Sequence, residues 1–155
     1  SRYSADLMNI RLNRLNKTDR IEAEKLLSGF DPDSSDNEAL KRFGELMTIA
    51  DSYDYVPDEN QQVDVNMEIF RSVWPEATHL REINILPEIA KKIKFPVTAI
   101  HGDYDPHPAD GVENPLSARL ADFKMITLKK CGHKPWQERY AEDEFFEILR
   151  GELAK

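Results

Sequence analysis

Cysteine is nearly absent from this chain: Cys131 is the only one in 155 residues. That excludes an intrachain disulfide and any zinc site built from several cysteines, and it fits a reducing, cytoplasmic compartment. Long apolar runs are missing too. None approaches the ~20 residues that a membrane helix needs, and the opening Ser-Arg-Tyr-Ser has no signal-peptide pattern, so no membrane partner is expected. Positive charge is in deficit, with 21 Lys and Arg against 29 Asp and Glu and a net charge of −8. A polyanion is repelled on average and no local basic cluster overrides this, so nucleic acid is not an expected partner. There is no initiator Met, and the chain is expected to continue a longer one upstream.

What remains is ordinary globular composition, 40% hydrophobic and 32% charged, in a chain long enough for a real core. Residues 1–94 read as helical and loop-rich, without repeats or a convincing strand. Leu7, Met8, Ile10, Leu12 and Leu15 sit at helical spacing between Ser4 and Asn16. Asp19 and Glu22 have capping-box spacing ahead of a second helix that stops at Gly29, and Ser35 and Glu38 repeat that spacing ahead of a third. The third helix carries a stripe of Leu40, Phe43, Leu46, Met47 and Ala50, read as core. A fourth pattern runs from Asn60 to Trp74 and is expected to end at Pro75. A short fifth covers Ile85 to Lys92, with Pro87 in its first turn and Lys91, Lys92 and Lys94 at its C-terminal end.

The character changes at Phe95. Val97 to Ile100 is a β-branched, apolar run, read as a buried strand that Gly102, Pro106 and Pro108 stop, with Asp103 and Asp105 at its tip. A helix is expected over Asn114 to Asp122, a second strand over Phe123 to Lys129, a turn over Cys131 to Trp136, and a last helix from Arg139 to Leu153. Strand, helix, strand is the order of a parallel crossover, so the fold class is α/β. Two strands cannot complete a parallel sheet, which is normally buried on both faces. A missing N-terminal half or a second copy of the chain is therefore an expected partner.

Neighbouring parallel strands would bring Asp105 and His133 together at their tips, the end of an α/β sheet where ligands bind. A carboxylate on one imidazole nitrogen fixes the tautomer and frees the other nitrogen to accept a proton from a nucleophile. The stretch His101-Gly102-Asp103-Tyr104-Asp105, followed by Cys131-Gly132-His133, closely resembles the C-terminal part of the α/β-hydrolase family. The resemblance is specific from Phe95 to Leu153. It implies a partial α/β-hydrolase fold: residues 1–94 as a helical lid and 95–155 as the end of the core, with Asp105 as triad acid and His133 as general base. It further implies a small-molecule substrate with an ester, amide or similar acyl-type bond, and no cofactor. His107 and Trp136, close in sequence to the pair, are candidate substrate-binding residues.

The family's Gly-x-Ser-x-Gly elbow is missing, since no serine of the chain stands in that frame. This chain alone is therefore expected to be inactive as a hydrolase. Two other readings compete. One is a non-catalytic partner-binding module offering Phe70, Trp74 and Trp136. The other is a metal site at His101, Asp103, Asp105 and His107, whose alternation would put four ligands on one side of an extended segment. Of the remaining residues, His101 is read as a hydrogen-bonded core histidine, Asp103 as a loop cap, Cys131 as buried and inert, and Glu138 as an acid at a helix start.

Overall fold

The computed structural model describes residues 2–29, 36–57 and 64–154, and the side chains of residues 6 onward within them. Among the described residues the chain is mixed α/β, with seven α-helices and one two-stranded parallel sheet. None of the described helices is long and apolar enough to cross a membrane. Contacts divide the chain into two compact units: Ser1–Asp51 with Glu59–Thr78, and Ser52–Asp58 with His79–Lys155. The division at residue 94 expected from sequence is not where packing divides, because the segments 52–58 and 79–94 group with the strands.

The first unit is built on α1 (Arg2–Arg14), α2 (Lys17–Ser28) and α3 (Asn37–Asp51). Leu12, Leu15, Ala23, Leu46, Met47 and Ala50 form its buried core, with Met8, Leu26 and Phe43 packed against it. The α3 stripe thus faces inward as its spacing predicts. Asp51 ends α3 in a two-pronged pair with Arg11, Nε to Oδ1 at 2.7 Å and Nη2 to Oδ2 at 2.6 Å, the fork geometry that ties two helices most firmly.

The caps differ from expectation. Asn16, not Asp19, caps α2: its side chain accepts from the Asp19 backbone N–H, which places Asp19 in the first turn. Gly29 does end that helix. The Ser35 cap lies outside the described residues; within them, the Asp36 carboxylate accepts from Ala39 N at the start of α3.

The fourth helix, α4 (Met67–Glu82), starts later than expected and runs through Pro75. Residues 60–63 of the expected helix lie outside the described residues. Asn66 accounts for the start, accepting from the N–H groups of Glu68 and Ile69. Pro75 costs the helix one hydrogen bond of its own, a local loss that the turns on either side outlast. It is followed by α5 (Leu86–Ala90), with Pro87 in its first turn as expected.

In the second unit, β1 (Val97–Gly102) pairs in parallel with β2 (Phe123–Leu128), from Val97 opposite Phe123 to Gly102 opposite Leu128. The crossover helix, α6 (Asp110–Ser117), begins four residues before its expected start and contains Pro115. Pro108 seeds its first turn, its carbonyl accepting from Gly111 N at 3.0 Å. A 3₁₀ turn (Pro135–Gln137) leads into α7 (Glu142–Leu153). Leu128, Cys131 and Ala141 are fully buried here, packed by Ile100, Ile126, Phe145 and Ile148.

Strand β1 does not stop before Gly102, where the loop after β2 comes close against the strand backbone. A Cβ built on that glycine would overlap the carbonyl oxygens of Cys131 and Gly132. Glycine inside a strand commonly marks such an approach, and here it lets the loop after β2 lie directly on the tip of β1.

Candidate active site

The two strand tips carry the chemistry-bearing side chains. Past Gly102 the chain turns back on itself, with Asp105 N bonded to Gly102 O at 3.3 Å and Tyr104 N to Cys131 O at 2.8 Å. Past β2, Lys130 adopts a left-handed conformation, φ 52°, which swings Cys131, Gly132 and His133 over the β1 tip. Asp103 clasps this loop from the other side, accepting from Cys131 N at 3.3 Å and pairing with Lys129 at 3.5 Å. It acts as a loop cap across two strands.

These turns bring Asp105 and His133 into contact: Nδ1 of His133 lies 2.7 Å from Oδ2 of Asp105. The other carboxylate oxygen is held by His107, whose backbone N–H and ring Nδ1 are each 2.8 Å from Oδ1. His101 approaches from below, its Nε2 3.6 Å from Oδ2 and its Nδ1 2.8 Å from the Gly102 carbonyl. It is buried and hydrogen-bonded, as expected for a core histidine. The Asp105 side chain is 6% exposed while that of His133 is 48% exposed, so a sheltered carboxylate carries an imidazole open to solvent.

Burial by itself would raise the pKa of Asp105. Hydrogen bonds from the rings of His107 and His133 and from the His107 backbone, with the charge on His133, outweigh it and hold the carboxyl well below the ordinary carboxylate range. Asp105 is therefore held as a carboxylate at neutral pH, the charge that would stabilise an imidazolium beside it. Cys131 behaves oppositely. Burial, then the nearby carboxylates of Glu138, Asp103, Asp105 and Glu144, push its thiol up to about 12, so it is no nucleophile at neutral pH.

The four alternating residues do not assemble into a metal site, since Asp103 is turned to Cys131 N and His101 Nδ1 to a carbonyl. The ligand-type atoms that do converge, from Asp105, His107 and His133, lie within 4.8 Å of one another. Their pairwise distances of 2.7 and 2.8 Å are those of hydrogen bonds. As they stand, the three groups form a carboxylate hydrogen-bonded by two imidazoles.

Trp136 is 40% exposed and packed on Phe145 with ring centroids 5.8 Å apart. An open groove of about 450 Å³, lined by Pro96, Thr98, Ile100, Leu149, Glu152 and Leu153, runs along β1 and α7 and includes neither member of the pair.

The residue least legible in the sequence is Glu138. It is not a helix-start acid: it is 0% exposed, and α7 begins four residues later. Its Oε1 accepts from Tyr53 N at 2.9 Å and from Gly132 N at 2.8 Å, and its Oε2 from Asp54 N at 2.8 Å. One carboxylate thus ties the segment after α3 to the loop that carries His133. Val56 N to Gln137 O and Arg139 N to Asp54 O continue that seam, and Tyr53 stacks edge-on against Tyr104 at 5.3 Å. The only hint in the sequence was an acid in a turn, which reads equally well as solvated.

No family model, curated protein or solved structure matches this chain.

Proposed function

We propose that the chain is the C-terminal part of a serine-type α/β-hydrolase acting on an ester, amide or similar acyl-type bond. In that reaction Asp105 orients His133, and His133 takes the proton from a serine that lies outside this sequence. The observation that carries the reading is the 2.7 Å contact between Asp105 Oδ2 and His133 Nδ1 at the tips of neighbouring parallel strands. It commits Nδ1 of an exposed imidazole to the acid, the orientation in which a triad uses the opposite ring nitrogen as base, and it matches both triad positions that the two motifs imply. The helices before Lys94 correspond in this reading to a lid.

The half-built sheet supports the same reading. Among the described residues β1 pairs only with β2, and Val97 to Ile100 are half-buried although apolar or β-branched. A parallel strand of this composition belongs inside a larger sheet. In the chain by itself the pair lacks an elbow serine, so activated esters should hydrolyse at background rate.

The test is to express the chain joined to the segment encoded upstream of Ser1 and treat it with a fluorophosphonate, which marks only an activated serine. Labelling in that upstream segment, slowed by orders of magnitude in His133→Ala and in Asp105→Asn, is the expected result. Labelling that is indifferent to both substitutions, or none at all, overturns the proposal.

A further inference from the structure

The proposed pair accounts for one oxygen of Asp105 and leaves the other to His107. That residue grips Oδ1 twice, through its backbone N–H and through ring Nδ1, both at 2.8 Å. An ionised carboxylate only accepts hydrogen bonds, so both imidazoles meet it as Nδ1–H donors. The two rings also lie against each other, with centroids 4.7 Å apart and planes tilted by 36°.

From this arrangement we infer that His107 is a positioning residue: it locks the plane of the Asp105 carboxylate so that Oδ2 alone faces His133 and holds it in the Nδ1–H tautomer. The inference rests on the reading of His133 as the base. Its physical basis is that the last torsion of an aspartate is a broad, two-fold rotor which local geometry does not fix. A single donor on Oδ1 leaves the carboxylate free to pivot about that contact. A backbone N–H and a ring N–H on the same oxygen, from a residue two positions away between Pro106 and Pro108, remove that freedom. The inner nitrogen of His107 is thereby committed to the acid, while its side chain stays 31% exposed. The other groups facing the carboxylate do not replace it: His101 Nε2 stands off at 3.6 Å, and Lys129 is paired with Asp103.

The experiment is imidazole ¹H–¹⁵N NMR on the full 155-residue chain, comparing the unaltered protein with His107→Asn, His107→Ala and His107→Gln. Asn is the conservative variant, since its amide nitrogen occupies the place of ring Nδ1; Gln keeps bulk and polarity but carries its donor one bond too far. In the unaltered chain and in His107→Asn, His133 should show a far-downfield, slowly exchanging Nδ1 proton and a single tautomer. In His107→Ala and His107→Gln that proton should exchange about tenfold faster or more, with the two tautomers mixed, as expected for loss of one hydrogen bond to a charged group. Should the Ala variant lose the native amide spectrum, Gln against Asn decides. Unchanged exchange in Gln, or an Asn variant that behaves like Gln, overturns the role of His107 while leaving the Asp105–His133 pair intact. A His133 without an Nδ1 proton in the unaltered chain would instead overturn the pair itself.

Discussion

Replacing Glu138 should do more damage than any other single change outside the hydrophobic cores. The carboxylate is fully buried and is the acceptor for three backbone N–H groups, those of Tyr53, Asp54 and Gly132. In Glu138→Gln the amide can keep its oxygen at the Oε1 position, serving Tyr53 and Gly132, but its NH₂ then confronts the Asp54 N–H donor to donor. Leaving one buried donor unmatched costs about 1–3 kcal/mol, partly offset because a buried charge is removed as well. Glu138→Ala strands all three donors and opens a cavity, for a loss of roughly 4–6 kcal/mol, which rivals the whole stability of a small unit. Urea melts at one fixed protein concentration, followed by a probe in the second unit such as Trp136 fluorescence, should give the order unaltered chain, Gln, Ala. The Gln variant should also loosen His133, visible as faster exchange of the Gly132 amide. A Glu138→Gln variant within about 0.3 kcal/mol of the unaltered chain, with Gly132 exchange unchanged, would refute the claim that this carboxylate fastens the two loops.

Three further outcomes follow from the same structure. Because the folded pKa of Asp105 is depressed below its ordinary 3.8, its contribution to stability is complete above that value and drains away as pH falls toward the folded pKa. The gap in melting temperature between the unaltered chain and Asp105→Asn should therefore shrink as pH falls below about 4; a gap that stays constant from about pH 4 down to about 2.5 contradicts the sign. Gly102→Ala should destabilise the second unit by about 3 kcal/mol or more, since the new methyl meets the rigid carbonyls of Cys131 and Gly132, and circular dichroism melts showing less than 1 kcal/mol would mean that the β2 loop can move aside. Pairing of β1 on one side only, among the described residues, also predicts that the chain associates with itself as concentration rises, so sedimentation velocity that reports a monomer at every concentration from about 1 to about 200 μM would show that the open edge recruits nothing.

Local chemistry was enough to read a good part of this protein. The stripe of α3, the stop at Gly29 and the burial of Cys131 all depend on neighbours within a turn or two and stand in the structure as read, while β1 falls where read but runs on through Gly102 and leaves Val97 to Ile100 half-buried. The placing of Asp105 beside His133 was also legible, because a parallel crossover puts consecutive strand tips side by side whatever the details of the helix between them. Helix limits were less so. Asn16 outcompetes Asp19 as a cap, α4 absorbs Pro75 and α6 absorbs Pro115, outcomes set by small differences between local bonds and the packing of whole helices.

Tertiary structure alone decided how the site is supported. Glu138 bonds partners 84 and 85 positions away, and no periodicity or spacing encodes a pairing between a turn acid and backbone N–H groups so remote. The need for Gly102 appears only once the loop after β2 lies on it. His107 shares its acid with His133 only because two turns, one rigid with prolines and one bent by a left-handed Lys130, converge on the same carboxylate. Sequence determines which groups are available and how each short segment bends. Which buried donor meets which acceptor depends on the closure of the whole chain, since a carboxylate out of water is stable only where folding happens to deliver enough N–H groups to surround it.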